Sequence, residues 1–128
     1  MNQEIEPDLN VIAEKVIGAA IEVHRFFGPG FSEASYHAAM RIELQEREIA
    51  FVSEAPVDLL YKGRSIGSGR IDLLVDSQLV VELKAAHSRP DKYTKQVLTY
   101  LKATGLRLGL ILNFETELLK DGVARVIN

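Results

Sequence analysis

Apolar residues Leu9, Ile12, Val16, Ala20, Val23 and Phe27 recur at spacings of three and four, the period of a helix with one buried stripe. Ile17 and Ile21 widen that stripe, and Asp8 is placed to cap its start, so the pattern predicts a well-buried helix over residues 9–27. Gly28-Pro29-Gly30 ends it, because the prolyl ring restricts the residue before it and cannot continue the hydrogen-bond ladder. Ser32 then caps a second helix reaching about Glu48, with Glu33 in its first turn and Tyr36, Met40 and Leu44 as its inward stripe.

Beyond Ile49 the period changes to two. Val57, Leu59 and Tyr61 alternate with polar positions, Lys62-Gly63-Arg64 reads as a turn, and Ile71 to Val75 and Leu79 to Ala86 are short apolar runs joined by Asp76-Ser77-Gln78. Pro90 opens a third helix that ends near Gly105. Arg107 to Phe114 is a further strand, and Asp121-Gly122 is a hairpin turn into a last strand, Val123 to Ile127. The order predicts an α/β fold: a mixed central sheet flanked by helices. At 128 residues, with no linker or repeat, the chain makes one domain spanning 1–128, of which 1–8 is a flexible N-terminus.

Composition narrows the chemistry. There is no cysteine, which excludes disulfides, thiolate metal sites and a cysteine nucleophile. Met1 to Asp8 lacks the apolar centre of a signal peptide, and no apolar run approaches the roughly 20 residues of a membrane span. A cytoplasmic protein without a membrane partner is the expectation. The net charge of −3 argues against general affinity for polyanions, but the charge is uneven. Residues 1–61 carry 4 Lys/Arg against 11 Asp/Glu, whereas residues 62–107 carry 9 against 4. Any polyanion site belongs in the middle third.

That third also holds the ionisable groups that stand in apolar runs. Asp72 interrupts Ile71–Val75, and Glu82 and Lys84 lie two apart in Val80–Lys84, hence on one face of a strand. Such groups are costly to desolvate unless paired or bound to a metal. Two carboxylates on adjacent strands can hold Mg²⁺, and an ammonium beside them can orient an attacking water or stabilise charge growing on a phosphate. The plainer reading is an alternating strand whose Glu82 and Lys84 face solvent, with Asp72 in a salt bridge. Glu33 and Tyr36 share one helical face, which points Glu33 toward the core edge, although simple helix capping would also explain it. Gln96 and Tyr100, four apart on the third helix, would by default be packing residues.

Taken together these residues resemble a known family. Gly30-Phe31-Ser32-Glu33-Ala34-Ser35-Tyr36 is similar to the signature of the GxxExxY family. Tyr61-Lys62-Gly63, Asp72-Leu73, Val81-Glu82-Leu83-Lys84, Gln96 with Tyr100-Leu101, and Gly109-Leu110 to Asn113-Phe114 follow in that family's order, from about Asn10 to Ile127. The family is assigned to the PD-(D/E)XK nuclease superfamily, with a restriction-endonuclease-like core. The resemblance implies that Asp72 and Glu82 ligate Mg²⁺ or Mn²⁺ and that Lys84 is the catalytic lysine. It implies that Glu33 completes the metal or water shell, and that Gln96 and Tyr100 order the site and the nucleic-acid strand. His24 stands where some related exonucleases carry a further histidine ligand; a satisfied structural histidine is the alternative. Ile71 replaces the proline of the superfamily name, and Glu54 stands where a glutamine is expected.

The implied activity is a Mg²⁺-dependent nuclease acting on nucleic acid, DNA foremost. Arg89, Lys92 and Lys95, in the first part of the third helix, are expected to contact phosphates. No helix-turn-helix reader, zinc finger or basic tail is visible, so sequence-specific cleavage is not expected. Two other readings stand beside this one: a non-catalytic nucleic-acid- or partner-binding module that keeps the fold, and a structural role as a homodimer that doubles the binding surface.

Overall fold

A computed structural model describes residues 4–88 and 91–128. In chain order it contains α1 (Pro7–Phe27), α2 (Glu33–Glu46), β1 (Phe51–Tyr61), β2 (Arg64–Val75), β3 (Leu79–Lys84), α3 (Asp91–Thr104), β4 (Leu108–Asn113), a 3₁₀ turn (Leu119–Gly122) and β5 (Val123–Ile127). The sheet order is β1-β2-β3-β4-β5. Only the β3–β4 pair, joined through α3, is parallel; the other three pairs are antiparallel. This is the α/β architecture expected, a mixed sheet with helices on both faces.

Helix α1 begins earlier than the periodicity indicates. Pro7 occupies the first helical position, where its missing N–H costs nothing, and Glu6 precedes it without a side-chain cap. Pro7 and Asp8, grouped with the N-terminal segment by sequence, therefore belong to the helix, and Asp8 does not cap it. Its buried face is Leu9, Ala13, Val16, Ala19, Ala20, Val23 and His24, while Ile12, Ile17, Ile21 and Phe27 pack at the margin. The alanines bring this helix close to the sheet. Helix α2 starts as expected, with the Ser32 hydroxyl accepting from the Ser35 N–H. Among the described residues no helix is long and apolar enough to cross a membrane.

The sheet has two apolar faces. One packs Leu73, Val75, Leu79, Val81, Leu83, Leu108, Leu110 and Leu112 against α1 and α2. The other packs Ala55, Val57, Ile71, Val80, Ile111 and Val126 against Val97, Tyr100 and Leu101 of α3. β3 and β4, central in the sheet, are buried along almost their whole length, which is why they read as continuous apolar runs rather than alternations. Asp121-Gly122 is not a two-residue hairpin turn. It ends the 3₁₀ turn in the longer link from β4 to β5. Pro90, expected to open the third helix, lies outside the described residues, as do the first three residues of the N-terminal segment.

Helix α3 is held against the sheet by a contact that admits no side chain. A Cβ on Gly69 of β2 would fall 2.6 Å from Cε1 and 2.9 Å from Oη of Tyr100, itself buried. Gly69→Ala is expected to cost about 1–3 kcal/mol through overpacking. Urea denaturation measures this, and an unchanged midpoint would mean that Tyr100 swings clear.

Candidate functional site

The ladder between β2 and β3 stops where the acidic residues begin. Leu73↔Val81, Leu74↔Val80 and Val75↔Leu79 are paired, but Asp72 and Glu82, next in register, are not. Their side chains take over the backbone bonds. Asp72 Oδ2 accepts from the Leu83 N–H at 2.8 Å, and Glu82 Oε1 accepts from the Asp72 N–H at 3.3 Å. On its other side Asp72 lies opposite Glu54 of β1, whose φ of 52° places it in the left-handed region and breaks the pairing there as well. Ile71 and Leu73 consequently point to opposite cores, although two residues apart in a strand normally share a face. Irregularities of this kind re-aim side chains. Here one brings Asp72 to Glu82.

The pair is electrostatically frustrated. Burial, followed by repulsion from Asp72 and a side-chain hydrogen bond with it, pushes the Glu82 carboxyl up to about 9; the backbone hydrogen bond and the charge of Lys84 oppose the rise. Glu82 is only 3% exposed. At neutral pH it holds a proton where a cation would relieve the same repulsion. Paired hard oxygen donors of this type suit Mg²⁺ or Mn²⁺, which fill their remaining positions with water or phosphate oxygens. Among the described residues no group of three or more His, Asp or Glu side chains is close enough to hold a metal. Glu33 is exposed in the first turn of α2 rather than turned inward with Tyr36, and it does not complete a three-carboxylate cluster.

Lys84 shares the Glu82 face of β3, and its Nζ sits 4.5 Å from the centroid of the Tyr93 ring. Lys92 approaches the same ring at 5.8 Å, so one of the expected phosphate contacts stands beside the catalytic candidate. Lys95 is exposed on α3, and Arg89 lies outside the described residues. Lys84, Tyr93, Thr94, Ile111, Asn113, Gly122 and Ala124 line a pocket of about 120 Å³. Gln96 donates its amide to the Tyr100 hydroxyl at 3.2 Å; Gln96 is exposed and Tyr100 buried, its ring against Gly69, three residues before Asp72.

Two residues near the site carry more than the sequence indicated. Asn113 ends β4 opposite Lys84 and clamps the end of β3: its Oδ1 accepts from the Ala86 N–H at 3.1 Å and its Nδ2 donates to the Ala86 carbonyl at 2.9 Å. A polar residue closing an apolar run was the available signal. Tyr93 had none, because a tyrosine on a helix reads as packing. Tyr36 and His24 prove to be ties. The Tyr36 hydroxyl donates to the Gly28 carbonyl at 2.5 Å, and its ring stacks on Phe114 at 4.4 Å, fixing the α1–α2 link. His24 Nε2 donates to the Thr116 carbonyl at 2.8 Å.

Compared with known families, residues 10–126 match the model of the PD-(D/E)XK nuclease superfamily. No curated protein and no solved structure matches the chain.

Proposed function

The chain belongs to the PD-(D/E)XK nuclease superfamily, and on that premise we propose that it is a metal-dependent nuclease hydrolysing phosphodiester bonds in nucleic acid, DNA foremost. Within the superfamily the Gly30–Tyr36 signature argues for the GxxExxY family. The observation that carries the reading is the opening of the β2–β3 ladder, which leaves Asp72 and Glu82 side by side, two like-charged carboxyl groups whose repulsion a proton or a cation between them relieves.

Superfamily members generally use Mg²⁺ or Mn²⁺. Asp72 and Glu82 would hold that ion, which supplies charge neutralisation at the phosphate and a more acidic bound water. Lys84, anchored over Tyr93, orients the attacking water and stabilises the charge that grows on the phosphate. Lys92, with Lys95 and Arg89, holds flanking phosphates, while Gln96 and Tyr100 keep the strand in line. Glu33, exposed in the first turn of α2, would complete the water shell on this reading.

The purified chain is expected to cleave at least one of linear, circular or branched DNA, or RNA, with Mg²⁺ or Mn²⁺, and EDTA should abolish cleavage. Binding without cleavage under every metal would favour the second reading, a nucleic-acid-binding module that keeps the nuclease fold. The lack of a third ligand near Asp72 and Glu82 among the described residues is the observation on that side.

A further inference from the structure

β1 and β2 form a much longer pair than the rest of the sheet supports. They pair from Phe51↔Val75 to Tyr61↔Arg64, interrupted at Glu54 and shifted in register between Leu59 and Leu60, whereas β3 accompanies β2 only from Leu73 to Val75. From Asp72 to Arg64 the pair therefore continues without β3 as a two-stranded ribbon, about 26 Å at the rise of a strand, with α3 packed on one face at Val57, Gly69 and Ile71. Lys62 and Gly63 close it with φ of 50° and 78°, the positive values a type I′ turn requires.

The ribbon's surface is unusual for a soluble protein. Residues 60–68 are all exposed, with Tyr61 at 62% and Ile66 at 70%. From Leu59 to Ile71 there are three cations, Lys62, Arg64 and Arg70, and no acidic residue. Among the described residues none of the three is in an ion pair. The ribbon's own acids are Glu54 and Asp58 on β1, and Asp58 accepts from the Ser65 hydroxyl at 2.7 Å. Lys102 of α3 adds a further cation beside Leu59, Leu60 and Ile66. The Asp72–Glu82 pair lies at the ribbon's root.

We propose that this ribbon is a nucleic-acid-binding arm that lies in the major groove of a duplex, with Lys62, Arg64 and Arg70 on its phosphates, while a backbone bond at its root reaches Asp72 and Glu82. The inference rests on the nuclease reading and extends it to a substrate class. A two-stranded ribbon fits a groove about 12 Å wide, and cations outside any ion pair among the described residues, Lys62 and Arg64 of them at the tip beyond Asp58, suit phosphates. At 3.4 Å per step, 26 Å of ribbon spans roughly eight base pairs on one side of the cut.

The test is anisotropy titration of the full chain in EDTA, which prevents cleavage, against 8- and 24-base-pair duplexes, a 24-nucleotide single strand and a 24-base-pair RNA duplex over a range of salt. The variant Lys62→Asn/Arg64→Ser keeps a turn-compatible Asn-Gly; Arg70→Ser, outside the turn, is the second. The first is expected to weaken binding of the long DNA duplex about tenfold and to lower the salt slope by about 1.8, with the second lowering it by about 0.9. The 8-base-pair duplex should respond less. Unchanged affinity and slope, or an equal loss on the single strand, would overturn the arm. So would variants that only dissociate a dimer, seen by light scattering. Cleavage activity that survives while binding is unchanged sinks the arm and leaves the nuclease reading; failure of the wild type to bind any nucleic acid sinks both.

Discussion

Replacing Lys84 with alanine or methionine is expected to lower phosphodiester cleavage by about 10²–10³-fold while leaving the fold intact. The magnitude is that of removing one preorganised electrostatic contact to charge that grows in the transition state. The fold should survive because Lys84 is half-buried and, among the described residues, makes no ion pair. Methionine keeps the stem packed on Tyr93 and removes only the charge, which separates packing from catalysis. Initial rates with the nucleic acid that the wild type cleaves, run beside thermal unfolding of each variant, make the measurement. Equal rates for wild type and both variants would place the chemistry elsewhere. Loss of activity with alanine but not with methionine would make the residue a spacer.

The helical part of the fold was legible because each cue was local. A three-and-four stripe, Gly28-Pro29-Gly30 and the Ser32 cap need no partner to be recognised, and α1 and α2 follow them. The start of α1 is not legible in this way, because Asp8 looks like a cap while Pro7, one residue earlier, sets the first turn. β2 is only half legible, for a different reason. Its first half, Arg64-Ser65-Ile66-Gly67-Ser68-Gly69, has the composition of a loop and is a strand only because β1 pairs with it. Nothing local announces that.

The site divides the same way. Asp72, Glu82 and Lys84 stand out as charges in apolar runs, and strand geometry alone puts Glu82 and Lys84 on one face. Their convergence with Asp72 depends on Glu54 adopting positive φ opposite it, which inverts the facing of Ile71 relative to Leu73. A period-two reading predicts the regular strand and so cannot foresee the break. The facing of Glu33 departs in the opposite sense: helix spacing ties it to Tyr36, yet at the first turn of α2 that face has already reached solvent. Tyr36 is spent on holding the Gly28 carbonyl and stacking on Phe114. The Gly30–Tyr36 segment thus supports the link between α1 and α2.

In metal-free protein the Glu82→Gln variant is expected to be more stable than the wild type, by a margin that widens with pH. Glu82 rises from an ordinary value of 4.5 to about 9 on folding, chiefly through burial. Below about 4.5 both folded and unfolded chains carry the proton, and its stabilising contribution is complete. As pH rises toward 9 the unfolded carboxyl releases its proton while the folded one keeps it. Wild-type stability therefore falls through that window, at up to about 1.4 kcal/mol per pH unit, and levels off above it. Glutamine mimics the protonated side chain at every pH and escapes the loss. Between pH 5 and pH 7 the difference in unfolding free energy should grow by roughly 3 kcal/mol, measured by urea denaturation in EDTA. Contributions from groups remote from Glu82 are common to both proteins and cancel. Adding Mg²⁺ should restore the wild type, increasingly so at higher pH as a cation replaces the proton, and should leave Glu82→Gln nearly unmoved. A difference that stays flat with pH would mean that Glu82 is already ionised in the folded protein. The carboxylates would then need no cation, and the argument for a metal between Asp72 and Glu82 would lose its physical basis.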